Sequence, residues 1–210
     1  MQKAKNSTFN PYQTATDFLA QLDADWAALI SHVGPCHFEP KNEQAPYESL
    51  IRAVAYQQLH GKAGDAIFKR FKDLYGATFP APQQILTTEF DALRACGFSA
   101  RKIETIQGLA QGALDGVIPS REAATVMTDE ALIEQLIVLK GIGRWTVEMM
   151  LMFTMGRMDI LPMDDFGVVE GYRRLKKLPV APKRKEINEI GKAWSPHRTV
   201  ASWYLWRVPK

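Results

Sequence analysis

Apolar residues in this chain recur at three- and four-residue spacing: Phe18, Leu22, Trp26, Leu29 and Ile30, then Leu50, Ile51, Val54, Ala55 and Leu59. That spacing lines one face of an α-helix, whereas a half-buried strand would alternate at every second residue. No segment alternates long enough to make a convincing strand, so the expected fold class is all-α. Stop signals punctuate the pattern at Val33-Gly34-Pro35, Tyr75-Gly76, Pro80-Ala81-Pro82, Cys96-Gly97, Gly116 to Pro119, Gly141-Ile142-Gly143, Leu178-Pro179 and Pro182, which predicts nine to ten helices. Thr16, Ser99, Thr128, Asp164 or Asp165, and Ser195 are expected N-caps, because a side-chain oxygen there accepts unpaired N–H groups of the first turn. Two helical lobes are expected, with the chain crossing between them near 100–120 and returning after 175.

With 210 residues, 46% of them hydrophobic, the chain can bury a sizeable core. Every apolar run is interrupted well before the ~18 residues that a membrane span requires. The N-terminus has two lysines but no apolar stretch or small-residue cleavage site behind them, so no secretory signal is read there. The expected location is the cytoplasm, beside the nucleoid in a bacterium, or the nucleus in a eukaryote. Cys36 and Cys96 stand alone, which excludes a disulfide framework, a four-cysteine zinc site and a four-cysteine iron–sulfur cluster; no metal site is predicted. Residues 1–156 carry 14 Lys/Arg against 17 Asp/Glu, but 157–210 carry 12 against 6. A basic C-terminal third suits one face turned to a polyanion, or else a plain solvated surface.

Between Leu136 and Met150 an apolar helix end runs into Gly141-Ile142-Gly143 and at once into another apolar helix. Two glycines around one hydrophobe allow a tight positive-φ turn anchored through Ile142, and leave bare N–H groups at the start of the second helix. Such groups bind phosphate. A plain helix–turn–helix corner with a glycine C-cap is the alternative.

Downstream lies Asp159-Ile160-Leu161-Pro162-Met163-Asp164-Asp165-Phe166. The hairpin LKGIGRWTVEMM followed by DILPMDDF resembles the helix–hairpin–helix (HhH-GPD) DNA glycosylase superfamily, and within it the AlkA-type 3-methyladenine DNA glycosylases (type II). AVAYQQLHGKAGDAIFKRF (53–71) and WSPHRTVASWYLW (194–206) extend the likeness to roughly residues 45–208. It implies a short form without an extra N-terminal domain: a single unit, 1–210, of two helical subdomains with an active-site cleft between the lobes. One subdomain would span roughly 45–110 with a wedge loop, the other 111–175 with the hairpin and catalytic aspartate, and the N- and C-terminal helices would pack together.

The resemblance marks Asp165 as catalytic and Asp164 as its structural neighbour. Independently, breaking an N-glycosidic bond builds positive charge on the sugar, which a fixed carboxylate stabilises most in the transition state. Such a carboxylate can also orient or deprotonate the attacking water. Both aspartates merely capping the next helix is the alternative reading. Relatives that cut the strand carry a lysine just past the hairpin, where an amine forms a Schiff base; here that residue is Trp145. The implied activity is therefore hydrolysis to an abasic site in base excision repair, without a lyase step.

An alkylated purine such as 3-methyladenine or 7-methylguanine is cationic, and aromatic faces attract it. Trp145 and Trp206 match the family's pocket tryptophans, with Tyr56, Phe166 and Trp203 as further candidates and Met149 at a position where some relatives have an aromatic. Trp26, Trp194 and the cluster Met149, Met150, Met152 and Met155 otherwise read as core. A base inside a duplex must be rotated out and its gap filled. Gln57-Gln58-Leu59-His60 resembles the family's intercalating segment, with Leu59 as the wedge and His60 in the minor groove; the alternative continues Leu59 into the core. Lys62, Lys140, Gly141, Ile142, Gly143, Arg144, Thr146 and Arg198 complete the expected DNA contacts. No cofactor is required, although hairpins of this type often hold a Na+ or K+ ion through carbonyls, here within 139–144. The expected partner is double-stranded DNA with alkylated bases, met by a monomer, with no membrane involved. Other readings are a non-catalytic DNA clamp and a related glycosylase for oxidised or mismatched bases.

Overall fold

Ser99 and Thr128 open helices because each hydroxyl accepts an N–H of the turn it begins, from Lys102 and Ala131 at 3.3 and 3.2 Å. Asp23 and Ser120 do the same, the aspartate for Asp25 and Trp26 and the serine for Ala123. The computed structural model describes residues 10–59 and 61–210. They form α1 (Gln13–Ala20), α2 (Ala24–Val33), α3 (Pro46–Tyr56), α4 (Gly61–Asp73), α5 (Pro82–Thr87), α6 (Phe90–Ala95), α7 (Ala100–Leu114), α8 (Arg121–Val126), α9 (Asp129–Leu136), α10 (Arg144–Phe153), α11 (Phe166–Leu175), α12 (Arg184–Gly191), a 3-10 turn (Lys192–Trp194) and α13 (Arg198–Leu205). Among the described residues there is no strand, and no helix is long and apolar enough to cross a membrane. The helices outnumber the nine to ten expected because α5, α6 and α8 have six residues each, too few turns for periodicity to register.

Two expected caps are corrected. Thr16 lies inside α1, its buried hydroxyl 3.2 Å from Tyr204 Oη. Ser195 follows the 3-10 turn and donates its hydroxyl to Asp159 at 2.8 Å, while α13 starts three residues later.

The chain divides into a central unit, Pro40–Gly156, and a terminal unit made of the described part of Met1–Glu39 with Arg157–Lys210. This corrects the subdomain bounds and the crossing near 100–120. Residues 111–156 belong with 40–110, because α7 packs along α3 and α5 while α10 packs against α3 and α9. Leu50, Ile51, Val54, Phe71, Ile103, Ile106, Leu109 and Leu136 are buried there, each burial contributing about 1.5–3 kcal/mol.

In the terminal unit α13 packs against α1, α2 and α11. Trp26 and Trp194 meet edge to face at 5.5 Å in its core, as the core reading of both residues predicts. Gly171 makes the α11–α13 contact possible: a Cβ there would stand 2.1 Å from the Leu205 carbonyl oxygen.

Candidate DNA-repair site

The hairpin between α9 and α10 is held by one backbone conformation and one apolar plug. Gly141 has φ +85°, and a Cβ on it would meet Thr105 Oγ1 at 2.6 Å, so both torsion and space demand glycine. Ile142 is buried, and its N–H donates to the Leu139 carbonyl at 3.0 Å. Gly143 is instead extended, at φ −99°, so only one of the two glycines takes the expected positive φ. A Cβ at Gly143 would meet open space, and α10 begins there without a side-chain cap. The Thr146 and Val147 N–H groups donate to the Gly143 carbonyl at 3.0 and 3.3 Å, and the helix dipole favours an anion at this end.

Several residues expected to donate to phosphate are engaged within the fold. Arg144 makes a fork to both Glu130 oxygens at 2.8 Å and reaches buried Glu148 at 2.9 Å, which ties α9 to α10. Its hydrogen bonds hold the Glu130 carboxyl below the usual range against a smaller effect of burial. Lys140 pairs with Glu104 of α7 at 2.8 Å on the surface. Thr146 is only 5% exposed and so is not a surface donor. Lys62 is exposed on the first turn of α4.

Next to the hairpin, α3 and α10 enclose a cavity of about 420 Å³, walled by Ala53, Tyr56, Gln57, Gln58, Trp145, Thr146 and Met149. That size suits a small-molecule site, and its lining is mostly apolar with no acidic side chain. Trp145 is 42% exposed rather than core, as a pocket wall requires. Tyr56 is fixed from three sides. Its ring lies against Gly64, where a Cβ would approach to 2.5 Å; Arg52 stacks over it at 4.8 Å; and its hydroxyl donates to Asp65. Burial and then that bond push the Tyr56 hydroxyl above its usual pKa. Met150 and Met152 are core, whereas Met149 faces the cavity.

Helix α3 ends at Tyr56, and Gln58 turns the chain with φ +56°. Leu59 leaves the stripe of Leu50, Ile51, Val54 and Ala55, all fully buried, and stands 38% exposed. The reading that continues it into the core therefore fails. His60 lies outside the described residues.

In the terminal unit, Asp165 is the N-cap of α11. Its Oδ1 accepts Val168 N–H at 2.9 Å and the Trp206 indole N–H at 2.8 Å. Trp206 comes this near because residue 167 is glycine, where a Cβ would stand 2.6 Å from the indole. Trp206 thus orients the carboxylate, a contact across 41 positions that sequence reasoning missed. The only local hint was the glycine pair at 167 and 171. Phe166 is 81% exposed at the first position of α11, and Trp203 is buried beneath Arg207, whose guanidinium lies 3.6 Å from its ring. Asp164 pairs with Arg184 at 2.5 Å.

Arg198, another expected DNA contact, makes a fork to Asp159 at 2.7 and 2.9 Å. Burial pushes the Asp159 carboxyl up, but the bonds from Arg198 and Ser195 outweigh it and leave the pKa below the usual range. Elsewhere in the basic C-terminal third, Arg173 and Arg174 share Glu170, and Lys176 bridges Asp23 and Asp25. Much of the charge counted along the sequence is neutralised locally.

A family model described as the HhH-GPD superfamily base excision DNA repair protein matches residues 51–197. DNA-3-methyladenine glycosylase 1 of Schizosaccharomyces pombe is 45% identical over 196 residues, covering 91% of this chain and 85% of that protein. Among solved structures, the S. pombe 3-methyladenine DNA glycosylase Mag1 in complex with abasic DNA aligns with a TM-score of 0.84 and 44% identity, covering 93% of this chain and 96% of that one. A DNA-3-methyladenine glycosidase from Bacillus halodurans aligns with the same TM-score and 32% identity, over 95% and 90% of the two chains. With its hairpin, its aspartate-capped α11 and these matches, the chain belongs to the HhH-GPD superfamily of base excision DNA repair proteins.

Proposed function

We propose that the protein is a monofunctional DNA glycosylase that releases alkylated bases from double-stranded DNA by hydrolysis, acting as a monomer. The observation that carries this reading is Asp165, whose carboxylate is held by an indole N–H and a helix N-terminus while remaining partly open to solvent. Two donors on one oxygen set its orientation before the sugar arrives. Positive charge developing on the deoxyribose then meets a carboxylate that need not reorganise. The same group orients the attacking water. Trp145, Tyr56 and Met149 wall the cavity assigned to the extruded base, where aromatic faces favour a cationic purine over a neutral one. Leu59 fills the gap in the stack, and the start of α10, which has no side-chain cap, grips phosphate. A Na+ or K+ ion at the hairpin would use spare lone pairs on the Leu139 and Gly141 carbonyls, which already accept from Ile142 N–H and Gln57 Nε2. With tryptophan at 145 no amine follows the hairpin, so the product is an abasic site and an intact strand.

The test is incubation with duplex DNA containing 7-methylguanine or 3-methyladenine, with free base and strand breaks measured separately. Base release without breaks is expected. Asp165→Asn keeps a capping side chain, so it should fold and bind DNA normally yet lose base release by about 10²–10³-fold. Release at the wild-type rate by this variant overturns the role of Asp165. Strand cleavage without alkali overturns the monofunctional reading.

A further inference from the structure

Lys102 lies on the first turn of α7, and it has no acidic residue three or four positions away on its helix. Its ammonium donates to the Ala55 carbonyl at 2.9 Å and to the Gln57 carbonyl at 2.8 Å. These carbonyls belong to the end of α3, where acceptors lack helical partners and the dipole favours a cation. Burial pushes the Lys102 ammonium below its usual pKa, so the contact is made at some desolvation cost. Immediately beyond it Gln58 is held at φ +56°, a conformation that non-glycine residues adopt only when their surroundings impose it.

Packing does not impose it here. Behind the turn lies a cavity of about 300 Å³ with a largely polar lining that includes Gln57, Gln58, Lys102 and Gly141. A turn that overhangs such a space is supported mainly by its hydrogen bonds. Among the described residues these include the two from Lys102, the Gln57 N–H to the Ala53 and Val54 carbonyls at 3.1 and 3.3 Å, the Leu59 N–H to the Tyr56 carbonyl at 3.1 Å, and a long one from Gln57 Nε2 to the Gly141 carbonyl at 3.4 Å. Of these, only the Lys102 pair is both charged and short.

The geometry points to Lys102 as the positioning residue of the wedge: it braces the turn 57–59 so that Leu59 can be driven into a base stack without the turn collapsing into the cavity behind it. Lys102 does not touch the reacting atoms and acts through Leu59. The inference rests on the glycosylase reading above. Its signature is dependence on the substrate's stacking. Opening a fully paired duplex requires the brace, whereas a lesion in single-stranded DNA leaves no gap to fill.

The test compares Lys102→Met, Lys102→Arg and wild type on 7-methylguanine in paired duplex and in single-stranded DNA, under single-turnover conditions. K102M should lose about tenfold or more on the duplex and less than about twofold on the single strand. K102R, which keeps the charge and offers two donors, should retain duplex activity within about twofold. In a Leu59→Ala background, K102M should cost nothing further on the duplex. Equal losses on both substrates, an unaltered K102M, a K102R as impaired as K102M, or additive losses with L59A would each overturn the brace. If K102M fails to fold, Lys102→Gln, which keeps a polar side chain without the charge, takes its place on the two substrates, with the same duplex-confined loss expected and equal losses or none overturning the brace. Should wild type release base from neither substrate, the glycosylase reading itself falls, and that result is distinct from any loss confined to the variants.

Discussion

Two connections lead into ten-residue helices, and they are built differently. The hairpin before α10 holds its shape through local means: a positive-φ glycine, a buried isoleucine one residue later, and α7 pressed against it at Thr105. The segment 157–165 before α11 is held by distant side chains. Arg198 and Ser195 take both oxygens of Asp159, the Thr199 hydroxyl bridges the Arg157 carbonyl and the Ile160 N–H, and Trp206 takes Asp165. A backbone grip needs only a repeatable curve, which local chemistry supplies. A carboxylate aimed at a developing charge has to be set to within a fraction of an ångström, and that requires partners from a second helix.

The contrast breaks most severely at Gly171→Ala. The new methyl would overlap the Leu205 carbonyl, a backbone atom, so α11 and α13 must separate and Trp206 must leave Asp165. Thermal unfolding should report a loss of about 3 kcal/mol, with base release falling alongside it. Gly141→Ala tests the local side. The strained torsion and the Thr105 contact should cost about 2 kcal/mol, and the affinity for DNA should drop more than the rate on bound DNA. Wild-type affinity in that variant would remove the hairpin from the grip.

Arg198→Met is the smallest and sharpens the pH dependence. Partial exposure of the pair limits the loss to about 1 kcal/mol. Because the folded pKa of Asp159 is lowered, its contribution to stability is present above the ordinary aspartate value of about 3.9 and is lost as pH falls through the folded value. R198M should therefore flatten the acid limb of stability measured between neutral and strongly acidic pH. An unchanged acid limb would show that the pair stabilises nothing.

Local signals proved legible where a residue acts on its own neighbours. Ser99, Thr128 and Asp165 cap the helices they precede, and Ile142 plugs the turn it sits in. Thr16 and Ser195 have the same cap chemistry but are drawn to Tyr204 and Asp159, partners that no local window contains. The pairing of Arg144 with Glu130 and of Arg198 with Asp159 was illegible for the same reason, since neither carboxylate lies within a few positions of its arginine. Lys102 carried the opposite clue, a lysine with no acid on its own helix face, but its acceptors lie more than 40 positions away.

The order of residues alone determined an all-helical chain, a glycine-bent hairpin and an aspartate at a helix start, because torsion preference, apolar period and capping are decided within a few positions. Only the tertiary structure decided which cations remain available, which indole orients Asp165, how the chain divides into two units and what braces the turn at Leu59. Those are long-range contacts, and their partners become neighbours only once the helices have packed.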